Sequence, residues 1–154
     1  MSDSSKEIYE WLTSLKGYSI SEIKPINSDA SFRNYFRVFD EMKGPFIVMD
    51  SDPNLENNEK FLCVTNLLKK ISIPIPEIHQ IDESGRYFLI SDLGTKSLFD
   101  NRNETYFQDF YTKAIELLVL MQINGDSLKN QLPQYDDALL QAEMELFKEW
   151  FCDL

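Results

Sequence analysis

"NSDASFRNYFRVF", residues 27–39, joins five small or polar residues to a run in which aromatic and basic side chains alternate. The alternation predicts a β-strand over residues 32–39 in which Arg33 and Arg37 share one face. Residues 27–31 are either an ordinary hairpin turn, since Asn, Asp and Ser favour turns, or a turn whose backbone amides and serine hydroxyls hold a phosphate. The elements on either side of this stretch bear on the choice.

Helical and strand patterns surround the stretch on both sides. The predicted elements are, in chain order, a helix over residues 4–15, strands over 19–26, 32–39 and 46–49, a helix over 55–71, strands over 77–81 and 86–90, a helix carrying Phe107 to Met121, and a helix from about Tyr135. Pro74 and Pro76 end the middle helix because proline has no amide donor. Strands and one helix come first and helices alone follow, which predicts an α+β lobe and the start of a helical lobe.

Composition limits the class of protein. The chain has 154 residues, 43% of them hydrophobic, and a formal net charge of −11. Its length fits about one domain, and its acidity argues against a basic nucleic-acid groove. Residues 1–6 do not resemble a signal peptide, and there is no apolar run of about 18 residues to span a membrane. With Cys63 and Cys152 interpreted as free thiols, we expect a soluble, cytoplasmic protein that binds neither nucleic acid nor a membrane.

Four phrases carry a resemblance to a known family. They are "SDASFRNYFRV" (28–38), "FIVMDSDP" (46–53), "FLISDLG" (88–94) and "LPQYDDALLQAEMELFKEW" (132–150). With the order of elements, they resemble the amino-terminal part of the aminoglycoside phosphotransferase family, which has a protein-kinase-like fold. Within it they look like the bacterial branch that phosphorylates cell-wall amino sugars at the anomeric hydroxyl, the N-acetylmuramate/N-acetylglucosamine kinases.

The resemblance implies a fold and a division of the chain. The fold is a kinase-like N-lobe, an antiparallel sheet of about five strands plus one helix, with a preceding N-terminal helix. The expected units are the N-terminal helix (1–18), the nucleotide-binding lobe (19–91), a connector (92–96) and the start of a truncated helical C-lobe (97–154).

In this family the turn between the first two strands lies over the nucleotide phosphates. The resemblance therefore favours phosphate binding at residues 27–31, although the turn lacks the glycines of the kinase pattern. The residues that it implies around the phosphates are Ser28, Asp29, Ala30, Ser31 and Phe32.

The third strand departs further from the kinase pattern. Met49 stands where a phosphate-binding lysine is expected, and a thioether can pack on an adenine ring but cannot neutralise a phosphate. Another cation must do so, and Arg33, nearer the turn than Arg37, is the candidate. Both arginines can instead be solvated charges on a strand face. Glu59 is the nearest candidate for the helical glutamate that normally pairs with that lysine.

"FLISDLG" corresponds to the connector between the two lobes. The resemblance implies that the Ser91 carbonyl and the Leu93 amide hydrogen-bond the adenine edge, with Ile90 guarding the pocket. Without the resemblance, this segment is a strand end followed by an aspartate-containing turn.

The sequence offers no catalytic residue. Phosphoryl transfer needs a base for the acceptor hydroxyl and carboxylates for the metal ion. His79 lies in a predicted strand and is interpreted as a structural residue. Residues 109–111 ("DFY") resemble the metal-binding Asp-Phe-Gly motif of kinases but fall inside a helical pattern. We expect the catalytic residues and the Mg²⁺ ligands beyond residue 154, no metal site within the chain, and no phosphate transfer by this chain alone.

These observations support three hypotheses about function. The leading one is part of an ATP- and Mg²⁺-dependent sugar kinase acting on a cell-wall amino sugar. The alternatives are a non-catalytic nucleotide-binding or regulatory module, which Met49 favours, and part of an aminoglycoside-modifying kinase. Phe147, Trp150 and Phe151 predict an uncovered apolar face on the last helix, for a missing C-lobe or for self-association.

Overall fold

A computed structural model describes residues 3–26 and 32–152, so residues 27–31 lie outside the described part of the chain. The elements are α1 (Asp3–Ser14), β1 (Ile20–Ile26), β2 (Asn34–Asp40), β3 (Gly44–Asp50), α2 (Asn58–Lys70), β4 (Ile78–Ile81), β5 (Tyr87–Ser91), α3 (Phe107–Gly125), a 3₁₀ helix (Asp126–Gln131), α4 (Asp137–Phe147) and a π-helical turn (Lys148–Cys152). The predicted α+β class and the preceding N-terminal helix are confirmed.

The strands form one antiparallel sheet of five in the order β1-β2-β3-β5-β4. The turn between β2 and β3 is organised by the Asp40 carboxylate, which accepts hydrogen bonds from the backbone amides of Ser19, Met42 and Lys43. These bonds, above all the one from Ser19, hold the pKa of the buried Asp40 below its usual value because they stabilise the ionised form. Gly44 then takes φ +89°, a conformation that favours glycine.

One face of the sheet is the main core. In the register of the sheet, Phe36 and Val38 of β2 lie opposite Val48 and Phe46 of β3, and Val48 lies opposite Leu89 of β5. The side chains of Ile8 and Leu12 from α1 cover this face, and both are fully buried. The apolar stripe of the first helix and the alternation of the strands therefore serve the same core.

The opposite face is covered in part by α2. The Phe61 ring of α2 meets the Phe88 ring of β5 edge to face, with ring centroids 5.8 Å apart. On the same face, two residues further along β5 than Phe88, Ile90 lies opposite Ile47 of β3, which lies opposite Arg37 of β2. This row leads from the middle of the sheet to the segment that follows β5.

Several boundaries differ from the sequence prediction, and two of them bear on the candidate site. The second helix begins at Asn58 instead of residue 55, because the amides of Leu55 and Glu56 bond the Asp52 carbonyl in a turn and the Asn57 side chain caps the helix. Phe32, predicted as the first residue of its strand, precedes β2 and is 68% exposed.

The carboxyl-terminal helices leave much apolar surface uncovered. No residue of α3 or α4 is buried, and the large side chains of Phe147, Trp150 and Phe151 are exposed as predicted. Leu128 of the 3₁₀ helix packs against Leu67 and Ile71 of the α2 region. Within the described ranges, no helix has the length and apolar character needed to cross a membrane.

Replacing Leu12 by alanine should lower the free energy of unfolding by about 2–5 kcal/mol, since the cavity lies between α1 and the sheet. Leu55→Ala is the matched control, because Leu55 is 59% exposed and should change stability by less than about 0.5 kcal/mol. Urea unfolding measures both. Equal losses in the two variants would mean that α1 does not cover the sheet.

Candidate functional site

Arg33 lies beside the amino-terminal end of α2. Its Nη2 atom is 3.1 Å from Glu56 Oε2, and its Nε donates to Ser51 Oγ at 3.3 Å. The guanidinium carbon also stands 5.4 Å from the centroid of the Phe61 ring. A carboxylate, a hydroxyl and an aromatic face thus orient one cation next to residues 27–31.

A buried polar network supports this position. Ser51 Oγ donates to Asn58 Oδ1 at 2.6 Å, and Asn58 Nδ2 donates to the carbonyls of Ser51 and Gly85, each at 2.8 Å. These bonds join the end of β3, the first turn of α2 and the turn between β4 and β5. Because the amide oxygen and nitrogen of Asn58 are both used, its burial leaves no polar atom unsatisfied.

Met49 is almost fully buried, at 1% exposure, on the face of the sheet that α2 covers. Glu59, the candidate for the helical glutamate that normally pairs with the third-strand lysine, is exposed and forms no ion pair within the described residues, so its role stays a prediction. Glu56, which lies in the turn before the Asn57 cap, pairs with Arg33.

Arg37 is committed to a different partner. Its Nε donates to Asp92 Oδ2 at 2.6 Å and its Nη2 to Asp92 Oδ1 at 3.1 Å, in a two-pronged contact. Nη2 also donates to the Gly94 carbonyl at 3.1 Å. The hydrogen bond from Arg37 is the main reason why the pKa of the Asp92 carboxyl lies below its usual value.

The segment after β5 is joined to β4 as well. The Ser91 amide donates to the Glu77 carbonyl at 2.9 Å, and Ser91 Oγ lies 3.1 Å from His79 Nε2. The His79 ring packs edge to face on Phe46 at 5.1 Å, as expected of a structural histidine. Ile90 is half-buried at the end of β5, whereas Leu93 is 78% exposed.

The structure brings together only some of the residues that the sequence suggested. Arg33 and Met49 lie near the α2 end of the sheet, and Ile90 and Ser91 are the last two residues of β5. Ser28, Asp29, Ala30 and Ser31 fall outside the described residues. The partners of the arginines, Ser51, Glu56 and Asp92, and the Asn58 side chain that holds Ser51 were not anticipated, although small polar residues directly after the apolar run of β3 were a usable signal.

Metal ligands are not clustered in the described part of the chain. Over residues 3–26 and 32–152, no group of three or more His, Cys, Asp or Glu side chains could hold a metal ion. The carboxylates of Glu56 and Asp92 are instead paired with arginines.

Known proteins similar to the chain share one family. A family model described as the phosphotransferase enzyme family matches residues 22–147. A Pseudomonas putida protein named N-acetylmuramate/N-acetylglucosamine kinase is 38% identical over 125 residues, which are 81% of this chain and 36% of that protein. Proteins of the same name from Pseudomonas aeruginosa and Neisseria meningitidis are 32% and 28% identical, over 85% and 80% of the chain and 38% and 37% of their own lengths. The chain thus spans less than two fifths of these relatives, and no solved structure matches it.

Replacing Asn58 by alanine should destabilise the fold by about 2 kcal/mol, because the Ser51 and Gly85 carbonyls lose a buried donor. Asn66→Ala on the exposed surface of the same helix is the control and should be neutral or slightly stabilising, since alanine has the higher helix propensity. Thermal and urea unfolding report both changes. An Asn58→Ala variant as stable as Asn66→Ala would contradict the structural role of the network.

Proposed function

Because the chain belongs to the phosphotransferase enzyme family, we propose that it forms the nucleotide-binding part of an ATP-dependent sugar kinase. The observation that carries this proposal is the alignment of at least 80% of the chain with relatives that are all named N-acetylmuramate/N-acetylglucosamine kinase. The acceptor in the proposal is the anomeric hydroxyl of a cell-wall amino sugar. A cytoplasmic location belongs to the same proposal, because such a kinase draws on the ATP of the cytoplasm.

The proposed nucleotide site runs from Arg33 to the connector. Backbone amides and hydroxyls of residues 27–31 contact the phosphates, and Arg33 supplies the cation that Met49 cannot. A guanidinium has five N–H donors in a fixed fork, so one arginine can be held by Glu56 and Ser51 and also contact a phosphate oxygen. Phe32, exposed just before β2, borders this end of the site.

The purine end of the proposed site lies at the connector. The Ser91 carbonyl and the Leu93 amide hydrogen-bond the base, and Ile90 lies at the inner wall. Backbone groups suit this task, since a carbonyl and an amide close together match the donor and acceptor on the edge of adenine. The exposure of Leu93 is compatible with this role, because the backbone and not the side chain makes the contact.

We place the chemistry of phosphoryl transfer outside these 154 residues. The catalytic base and the carboxylates that hold Mg²⁺ would come from the part of the relatives that the alignment does not cover, which is more than three fifths of their length. The same part would cover the apolar faces of α3 and α4. Without it, we expect the chain to self-associate through these faces.

The chain should bind ATP weakly, and Arg33→Ala should weaken that binding by about tenfold, the loss of one charge-assisted contact. Arg102→Ala removes the same charge from an exposed turn and should leave affinity unchanged. Calorimetric titration with ATP measures the three proteins. A folded wild type that gives no binding heat, or an Arg33→Ala variant with wild-type affinity, would contradict the phosphate role.

Activity can be tested by joining this chain to the part of the Pseudomonas putida relative that lies beyond the alignment. The chimera should consume ATP in the presence of N-acetylmuramate or N-acetylglucosamine and form a product without a free reducing end, whereas the chain alone should not. An aminoglycoside acceptor serves as the specificity control. A folded chimera that binds ATP but phosphorylates no acceptor would favour a non-catalytic module. A chimera that phosphorylates the aminoglycoside in preference to the sugars would favour an aminoglycoside-modifying kinase.

A further inference from the structure

The contact between Arg37 and Asp92 connects the middle of the sheet to the segment after β5. Arg37 lies on β2, and the guanidinium reaches past the neighbouring β3 position, Ile47, to a carboxylate 55 residues away in the chain. The Asp92 side chain is 5% exposed and that of Arg37 20%. We propose that Arg37 and Asp92 form a clasp that fixes the connector in the conformation that receives the purine base, which makes Arg37 a positioning residue of the nucleotide site.

This inference rests on the proposed function and adds the device that orients the base-binding backbone. Asp92 stands between Ser91 and Leu93, whose backbone groups are proposed to contact the base. A rotation of the backbone at Asp92 would therefore move both hydrogen-bonding groups at once. Holding the Asp92 side chain against β2 removes that freedom before the nucleotide arrives, so binding requires less ordering of the connector.

The clasp fixes more than one residue of the connector. Asp92 Oδ1 accepts the Gly94 amide at 2.8 Å while Arg37 Nη2 donates to the Gly94 carbonyl at 3.1 Å. Gly94 has φ +95°, a conformation that a residue with a side chain rarely adopts. Residues 92–94 are thus held as a turn: Asp92, at its start, forms the ion pair with Arg37, and Gly94, at its end, hydrogen-bonds to both members of that pair.

The two arginines of the opening stretch therefore have different tasks. Both oxygens of the Asp92 carboxylate contact the Arg37 fork, so the charge at the connector is neutralised locally, which suits an uncharged base. Arg33 follows residues 27–31 in the sequence. It is four residues of extended chain from Arg37, a distance of about 13 Å. Loss of Arg37 should affect recognition of the base, and loss of Arg33 should affect recognition of the phosphates.

The test uses the 154-residue chain with Arg37→Gln and Asp92→Asn, and titrates ATP, adenosine and tripolyphosphate by NMR. Each variant should weaken adenosine and ATP by about tenfold and leave tripolyphosphate within about twofold of wild type. The double variant should lose no more than either single one, since the two side chains act as a unit. Lys24→Gln is the matched control, because Lys24 is the β1 neighbour of Arg37 in the register and pairs only with the exposed Glu22 among the described acidic residues.

The outcomes separate this inference from the proposed function. A folded wild type that binds none of the three ligands overturns both. The clasp alone is overturned if the wild type binds ATP and the variants keep the wild-type affinity for adenosine. It is also overturned if the variants lose as much affinity for tripolyphosphate as for adenosine.

A second measurement tests the clasp even if Arg37→Gln folds poorly. Asp92→Asn keeps the shape of the side chain, and amide hydrogen exchange should rise by about tenfold at residues 92–95 while β3 and β5 keep wild-type protection. Arg37→Lys, which keeps the charge without the fork, should lie between Arg37→Gln and wild type in adenosine affinity. Unchanged exchange at the connector in Asp92→Asn would overturn the clasp even if Arg37→Gln fails to fold.

Discussion

The register between β2 and β3 is the constraint on which the other features depend. Side chains alternate along both strands, so pairing Val38 with Phe46 sends one set of residues to the α1 core and leaves Arg37 and Ile47 on the opposite face. A slip of one residue would bury Arg37 under α1 and expose Val38. The Asp40 carboxylate, which accepts three backbone amides, fixes the turn that sets this register. Core and candidate site thus follow from one pairing.

The pattern of the chain was enough to predict the strands, the order of elements and the first helix, because these follow from local alternation and helical spacing, whereas the antiparallel sheet of about five strands was predicted from the family resemblance. The start of α2 was not predicted, since the Asp52 turn competes with helix formation through hydrogen bonds that no periodicity reveals. Glu56, which lies in that turn, pairs with Arg33, and the sequence pattern gave no sign of this contact. The partner of Arg37 is 55 residues distant, and only the assembled sheet brings the two together.

Arg33 and Arg37 looked equivalent in the sequence, and their partners differ in the structure. Arg37 has both oxygens of a nearly buried carboxylate, whereas Arg33 has one oxygen of a more exposed glutamate and a serine hydroxyl. The arginine side chains themselves are almost equally exposed, at 23% for Arg33 and 20% for Arg37, so the difference lies in their partners. The two-pronged contact with a nearly buried carboxylate favours a fixed structural role for Arg37, whereas Arg33, which precedes β2 and follows residues 27–31 in the sequence, is the arginine proposed to contact phosphate.

We propose that the glycine-free segment 27–31 and Arg33 hold the nucleotide phosphates while the connector holds the base. The decisive experiment is an amide chemical-shift map of the ¹⁵N-labelled chain recorded with a non-hydrolysable ATP analogue. We expect saturable shifts at residues 28–33 and at Ser91 to Leu93, with only the first group responding to tripolyphosphate. Shifts confined to α3 and α4, or none at either group in a folded sample, would contradict it.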